Sequence, residues 1–174
     1  MHVVAISGSL RMGSSNEALL SAASFCAPPG MRLTIYTGLG SLPHFNPDLD
    51  VDPPPVSVRE LRALLASADG FLISSPEYAH GVPGSLKNAL DWVVSSGELG
   101  HKPVVLLNAS AGTGEFAERA LRDTLEVMEA QVVSADAGLF VKKKLDAQGR
   151  LTDPEVTRRV TASLEGLAAA IRAR

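Results

Sequence analysis

The chain has a single cysteine, Cys26, among 174 residues. No intrachain disulfide can form, which fits a reducing compartment and leads us to expect a cytoplasmic protein. Charge of one sign is not in surplus. With 16 Lys and Arg against 19 Asp and Glu, the formal net charge is −3. There is thus no cationic excess to neutralise a nucleic-acid backbone, and no nucleic-acid partner is expected. No apolar run approaches the roughly 20 residues that span a bilayer, so no membrane partner is expected either. The N-terminus enters an apolar strand almost at once, without the basic and long apolar regions of a signal peptide. Aromatic residues are scarce, at 5%, so each one in a loop is informative. The four histidines are scattered and no cysteine cluster accompanies them, so no metal site is expected.

What is present is an alternation of strand and helix. Apolar runs predict strands over His2–Ser7, Met31–Tyr36, Gly70–Ser75, Pro103–Asn108 and Gln131–Ser134. Helical periodicity predicts helices over Ser15–Cys26, from Ser57, over Pro83–Ser96, over Glu115–Ala130, and from about Pro154 to the C-terminus. Their expected buried faces include Ala18, Leu19, Ala22, Phe25 and Cys26 in the first helix. Leu86, Ala89, Leu90, Val93 and Val94 form that of the third. Ser57-Val58-Arg59-Glu60 and Thr152-Asp153-Pro154-Glu155 read as capping boxes, the first with Ser57 as N-cap.

The first, third and fourth strands are apolar without alternation, as strands covered on both faces are. The pattern predicts a single α/β domain over residues 1–174, a doubly wound parallel sheet with helices on both faces and strand order 2-1-3-4-5. Gly38–Pro55 is too long to be only a connection.

In such a sheet, ligands bind beyond the C-terminal strand ends, where the strand order reverses. Three loops should meet there. Gly8-Ser9-Leu10-Arg11-Met12-Gly13-Ser14-Ser15-Asn16 lies between the first strand and first helix, the setting of a phosphate cradle. It carries no Lys after its last glycine, which excludes a nucleoside-triphosphate P-loop. It lacks the second glycine of a dinucleotide fingerprint. The same residues would also serve as a solvated turn. Pro76-Glu77-Tyr78-Ala79-His80-Gly81-Val82-Pro83-Gly84 follows the third strand, and Ser110-Ala111-Gly112-Thr113-Gly114 the fourth. Tyr78 would either stack on a ligand ring or cap the core. Glu77 has no His or Ser partner at a suitable spacing, so it is read as a solvated loop carboxylate rather than a general base. Lys87 and Asp91 read as a surface i,i+4 pair, and Trp92 as a packing residue.

Gly8–Asn16 resembles the GSLRxxSxN phosphate motif of the NADPH-dependent FMN reductases, a family that includes bacterial chromate and quinone reductases. Pro76-Glu77-Tyr78-Ala79, followed by Pro83-Gly84-Ser85-Leu86-Lys87-Asn88-Ala89-Leu90-Asp91-Trp92, resembles its PEYN…PGxLKNAxDW signature. Leu42-Pro43-His44-Phe45-Asn46-Pro47-Asp48 resembles its LPxxNPDL segment. The resemblance implies a flavodoxin-like fold. It also implies an FMN site with Ser9, Arg11, Ser14, Ser15 and Asn16 on the phosphate. Pro76, Glu77, Tyr78 and Ala79 would lie along the isoalloxazine, with Ser110 and Gly112 closing the other edge. Ala79 stands where the family has Asn, so one side-chain amide is missing. The implied activity is a ping-pong oxidoreduction from NADPH or NADH, through FMN, to a quinone, flavin, azo or metal-oxyanion acceptor. No catalytic side chain is required for it. A homodimer or homotetramer is implied too. The alternatives left by the residues are a flavodoxin-like electron carrier and a non-redox nucleotide-binding module.

Overall fold

The computed structural model describes residues 1–109, 112, 114–139 and 141–174, with the Lys142 side chain left out. Its strands are β1 (His2–Ser7), β2 (Arg32–Tyr36), β3 (Gly70–Ser74), β4 (Pro103–Leu107) and β5 (Gln131–Asp136). Its helices are α1 (Ser15–Ala23), α2 (Val56–Ala66), α3 (Gly84–Asp91), α4 (Glu115–Val127) and α5 (Pro154–Arg172). All strand pairs are parallel, in the expected order β2-β1-β3-β4-β5. The fold is α/β and flavodoxin-like. None of the described helices is long and apolar enough to cross a membrane.

Alternation along the strands explains their unbroken apolar runs. Val4, Ile6, Phe71, Ile73, Val104 and Leu106 face one layer, which holds α2, α3 and α4. Val3, Ala5, Leu72, Val105 and Leu107 face the other, which holds α1 and α5. Both faces of the three central strands are therefore core, and polar residues are excluded from either parity.

Helix ends depart from the expected pattern for identifiable reasons. α1 stops at Ala23 and tightens into a 3-10 turn over Ser24–Cys26. Phe25 thereby leaves the buried face and stands exposed, its ring under the Arg150 guanidinium. α2 starts one residue before Ser57, after Pro55, which supplies no side-chain cap. Ser57 is therefore not the N-cap. At α5 it is Asp153, not Thr152, that accepts from the backbone N–H of Val156. α3 ends at Asp91 rather than Ser96, and Val94, beyond its end, is exposed. Lys87 and Asp91 form the expected exposed pair at 2.5 Å.

The Gly38–Pro55 segment is pinned to α3 and its flank. Asn88 donates its Nδ2 to the Pro43 carbonyl at 2.9 Å and accepts at Oδ1 from the Phe45 N–H at 2.7 Å. The fully buried Trp92 donates Nε1 to the same Pro43 carbonyl at 2.8 Å and meets Phe45 edge-on. Arg62 bridges the Trp92 carbonyl and Asp50, which also accepts from Ser95. These bonds from Ser95 and Arg62 hold the Asp50 carboxyl below the usual carboxylate range. Its pinning contribution is complete above the ordinary carboxylate pKa and fades as pH falls below it.

Candidate functional site

The phosphate-loop geometry follows from β1 ending at Ser7 and α1 beginning at Ser15. Gly8 donates to the Ser74 carbonyl at 2.8 Å, tying the loop to the end of β3. A Cβ on Gly8 would come within 2.8 Å of Ser75 Oγ and 3.1 Å of Leu86, so this close approach requires glycine. Ser9 Oγ accepts from the Arg11 N–H and lies 3.4 Å from the Tyr78 hydroxyl. Ser14, extended and only 2% exposed, is the N-cap of α1 and accepts from the Asn16 N–H.

The backbone N–H groups of Ser15 and Glu17, in the first turn of α1, have no partner among the described residues. The Arg11 side chain is exposed and makes no hydrogen bond or ion pair there either. Uncommitted amides at a helix N-terminus beside an uncommitted guanidinium are donors of the kind that can hold an anion. The loop also walls an open hollow of about 220 Å³, shared with Tyr36, Thr37 and Leu39 at the end of β2.

Asn16 faces inward. Its side chain is 5% exposed, and its Oδ1 accepts from Ser74 Oγ at 2.9 Å and from the Ala109 N–H at 3.2 Å. That one carbonyl joins α1, which follows β1, to the ends of β3 and β4, across the strand-order reversal. The sequence marked Asn16 only as a phosphate residue.

The loop after β3 is a two-residue hairpin. Tyr78 and Gly81 exchange both backbone hydrogen bonds, at 3.1 and 3.0 Å. The two residues between them, Ala79 and His80, have φ of 50° and 61°, as a type I′ turn requires. An L-alanine in this conformation costs about 1–2 kcal/mol, whereas Asn tolerates it. An Asn here, as in the motif this segment resembles, would suit the backbone geometry as well as supply an amide. Ala79→Asn is expected to stabilise the protein by about 0.5–1 kcal/mol. Its melting temperature should rise by roughly 1–4 °C. A scanning-calorimetry trace with unchanged or lower melting would contradict this strain.

Glu77 is not solvated as expected. Its carboxylate accepts from the Ala117 N–H, in the first turn of α4, at 3.0 Å. α4 needs this help because its own N-cap, Gly114, has no side chain and lies at φ 65°. A Cβ on Gly114 would run into the Asn108 amide. A capless glycine before a helix with two acidic residues in its first turn was the available signal. The partner was not legible, because it lies 40 residues away. The N–H groups of Glu77 and Ala79 remain without partners among the described residues. Gly112 is exposed; Ser110 lies outside the described residues. Tyr78 is 54% exposed, so it does not cap the core. No cluster of three metal-ligating side chains occurs among the described residues.

The structure therefore brings Ser9, Arg11, Ser14, Ser15 and Asn16 to one loop, and joins it to Tyr78 of the β3 hairpin. Asn88 and Trp92, from the expected signature segment, grip the Pro43–Phe45 loop instead of lining this site.

The family model described as "NADPH-dependent FMN reductase" matches residues 1–144. An NAD(P)H-dependent FMN reductase of Pseudomonas aeruginosa is 34% identical over 171 residues, covering 95% of this chain and 92% of that one. The quinone reductase of Escherichia coli K12 is 31% identical over 172 residues, covering 94% and 92%. Among solved structures, the flavoenzyme NAD(P)H:(acceptor) oxidoreductase FerB of Paracoccus denitrificans superposes with a TM-score of 0.83. It is 26% identical and covers 99% of this chain and 97% of its own.

Proposed function

The chain belongs to the NADPH-dependent FMN reductase family, and from that premise we propose that it carries reducing equivalents from NADPH or NADH, through bound FMN, to a quinone or flavin acceptor. The observation that carries this reading is the set of uncommitted donors at the start of α1, joined by Ser9 and Tyr78 to a hairpin whose Glu77 and Ala79 amides have no partner among the described residues. Residues 1–174 act as one FMN-binding domain in this proposal. The protein works as a homo-oligomer in the cytoplasm.

The residues present fit FMN. Arg11 and the N–H groups of Ser15 and Glu17 would hold its phosphate, with Ser9 and Ser14 shaping the loop around them. Asn16 would act from beneath, by fixing the loop to β3 and β4. The N–H groups of Glu77 and Ala79 would face the polar edge of the ring system, and Pro76, Tyr78 and Gly112 would border it. When bound, FMN supplies hydride acceptance from a dihydronicotinamide and electron delivery to the acceptor. The hairpin amides would stabilise negative charge on the reduced ring. No side chain has to move a proton for the hydride step. The open hairpin leaves room for two substrates to use the same face in turn.

Steady-state oxidation of NADPH by a benzoquinone, with FMN-loaded protein and no other protein added, tests this. Parallel double-reciprocal lines are expected, because donor and acceptor alternate at one site. Absence of turnover would indicate an electron carrier, and intersecting lines would require both substrates bound together.

A further inference from the structure

Two of the chain's few rings stack on one another at the C-terminal end of the sheet, outside the residues assigned above to FMN. His80, at the tip of the β3 hairpin, stacks on Phe116 in the first turn of α4, with centroids 4.3 Å apart and planes 18° from parallel. His80 is exposed and Phe116 is 55% exposed. The pair is held from both sides. The hairpin is closed by the Tyr78–Gly81 hydrogen bonds, and Glu77 locks it to the same turn of α4 through the Ala117 N–H. The Tyr78 hydroxyl, one residue before the turn, reaches Ser9 of the phosphate loop.

His80 is held at φ 61°, a conformation with a cost for any residue other than glycine, and the ring it carries is stacked on a half-exposed Phe. The hairpin geometry directs that cost to one result: a rigid aromatic face at the C-terminal end of the sheet. The core does not need it, since neither ring is buried.

We propose that the His80–Phe116 pair is a specificity wall for planar acceptors, on which the ring of a quinone rests while it occupies the proposed flavin face. The proposal rests on the flavin reading above and adds a preference that this reading lacks. An open flavin face alone discriminates weakly among acceptors. A flat wall favours fused aromatic quinones over compact acceptors that cannot stack, through offset-stacked contacts.

Three variants test it. His80→Asn removes the ring while keeping a residue that tolerates the left-handed turn. Phe116→Leu keeps apolar bulk without a flat face. His80→Tyr restores a ring. The probe is 2,3-dimethyl-1,4-naphthoquinone, whose blocked ring carbons resist addition by the Cys26 thiol. Calorimetry on FMN-loaded protein without NADPH measures its binding with no turnover.

His80→Asn and Phe116→Leu are expected to weaken naphthoquinone binding about fivefold. FMN affinity, read by flavin fluorescence, should stay within twofold, and His80→Tyr should bind as the parent does. In turnover, kcat/KM should fall about fivefold more for the naphthoquinone than for ferricyanide, an acceptor with no ring to stack. Unchanged naphthoquinone binding would overturn the proposal. So would an equal loss of FMN affinity, which would make the rings supports of the hairpin. Dissociation of an oligomer with equal loss for both acceptors would overturn it too, by making the rings a subunit contact. If the parent protein bound no FMN at all, it is the flavin reading that would fail, and that outcome is separate from each of these.

Discussion

Replacing Asn16 with alanine is expected to lower stability by about 3 kcal/mol, because two buried donors lose their acceptor at once. The Ser74 hydroxyl and the Ala109 N–H both point at Asn16 Oδ1. Ser74 is 0% and Ala109 1% exposed, so water cannot replace the lost carbonyl without opening the sheet end. A buried donor left unpaired costs about 1–3 kcal/mol. At this chain length the melting temperature should fall by roughly 6–12 °C. Asn16→Asp separates the structural role from any role in binding. It keeps an oxygen for both donors, so its loss of stability should be smaller than alanine's. It also sets a carboxylate in the first turn of α1, where it would repel a phosphate, so FMN affinity should fall while riboflavin affinity holds. Thermal melts of the flavin-free proteins check the first part and paired flavin titrations the second. An alanine variant that melts with the parent would remove the keystone role.

Replacing Arg11 with alanine is expected to do the opposite: no measurable change in melting, and a large loss of FMN. The side chain is exposed and makes no hydrogen bond or ion pair among the described residues, and substitutions at such positions usually stay within about 0.5 kcal/mol. A guanidinium on a phosphate makes charge-assisted hydrogen bonds worth about 1.5–3 kcal/mol. FMN binding should therefore weaken roughly 10- to 100-fold. Riboflavin, which has no phosphate, should bind both proteins alike. The difference between parent and variant should shrink as salt is added, since the loop is open to solvent. Equal FMN affinity in parent and variant would mean that the helix amides hold the phosphate unaided.

These two residues stand in the same nine-residue motif and do different work, which shows how far the sequence could be read. The strands were legible because β1, β3 and β4 are apolar on both parities, a pattern that only a doubly covered sheet requires. Strand order then followed from crossover handedness, and the three site loops from the strand ends. Local backbone chemistry was legible to a lesser degree. Ser14 is marked by the sequence only for the phosphate and proves to be the cap of α1, while Ser57 fails as a cap because α2 already starts at Val56. Long-range polar pairing was not legible. The inward turn of Asn16 depends on Ser74 and Ala109. The capping of α4 by Glu77, and the grip of Asn88 and Trp92 on Pro43, join loops whose distance in sequence carries no trace of their contact. Asn88 in α3 and Trp92 just past its end stand four residues apart, but only the fold shows that the Pro43 loop lies across both. Ala79 and His80 at positive φ were hidden for another reason. Neither is a residue that favours that conformation as strongly as Gly or Asn, so the usual hairpin signal is missing at this turn.

The central claim is that the Ser9–Asn16 loop and the Pro76–Gly81 hairpin together hold a reducible flavin open to NAD(P)H. Its most direct test is the visible absorbance of the purified protein, loaded with FMN and freed of excess, before and after NADPH is added without oxygen. The expected result is a flavin spectrum that stays with the protein, bleaches on addition of NADPH, and returns when a quinone is admitted. A protein that remained colourless after incubation with FMN, or a bound flavin that NADPH left unbleached, would contradict it.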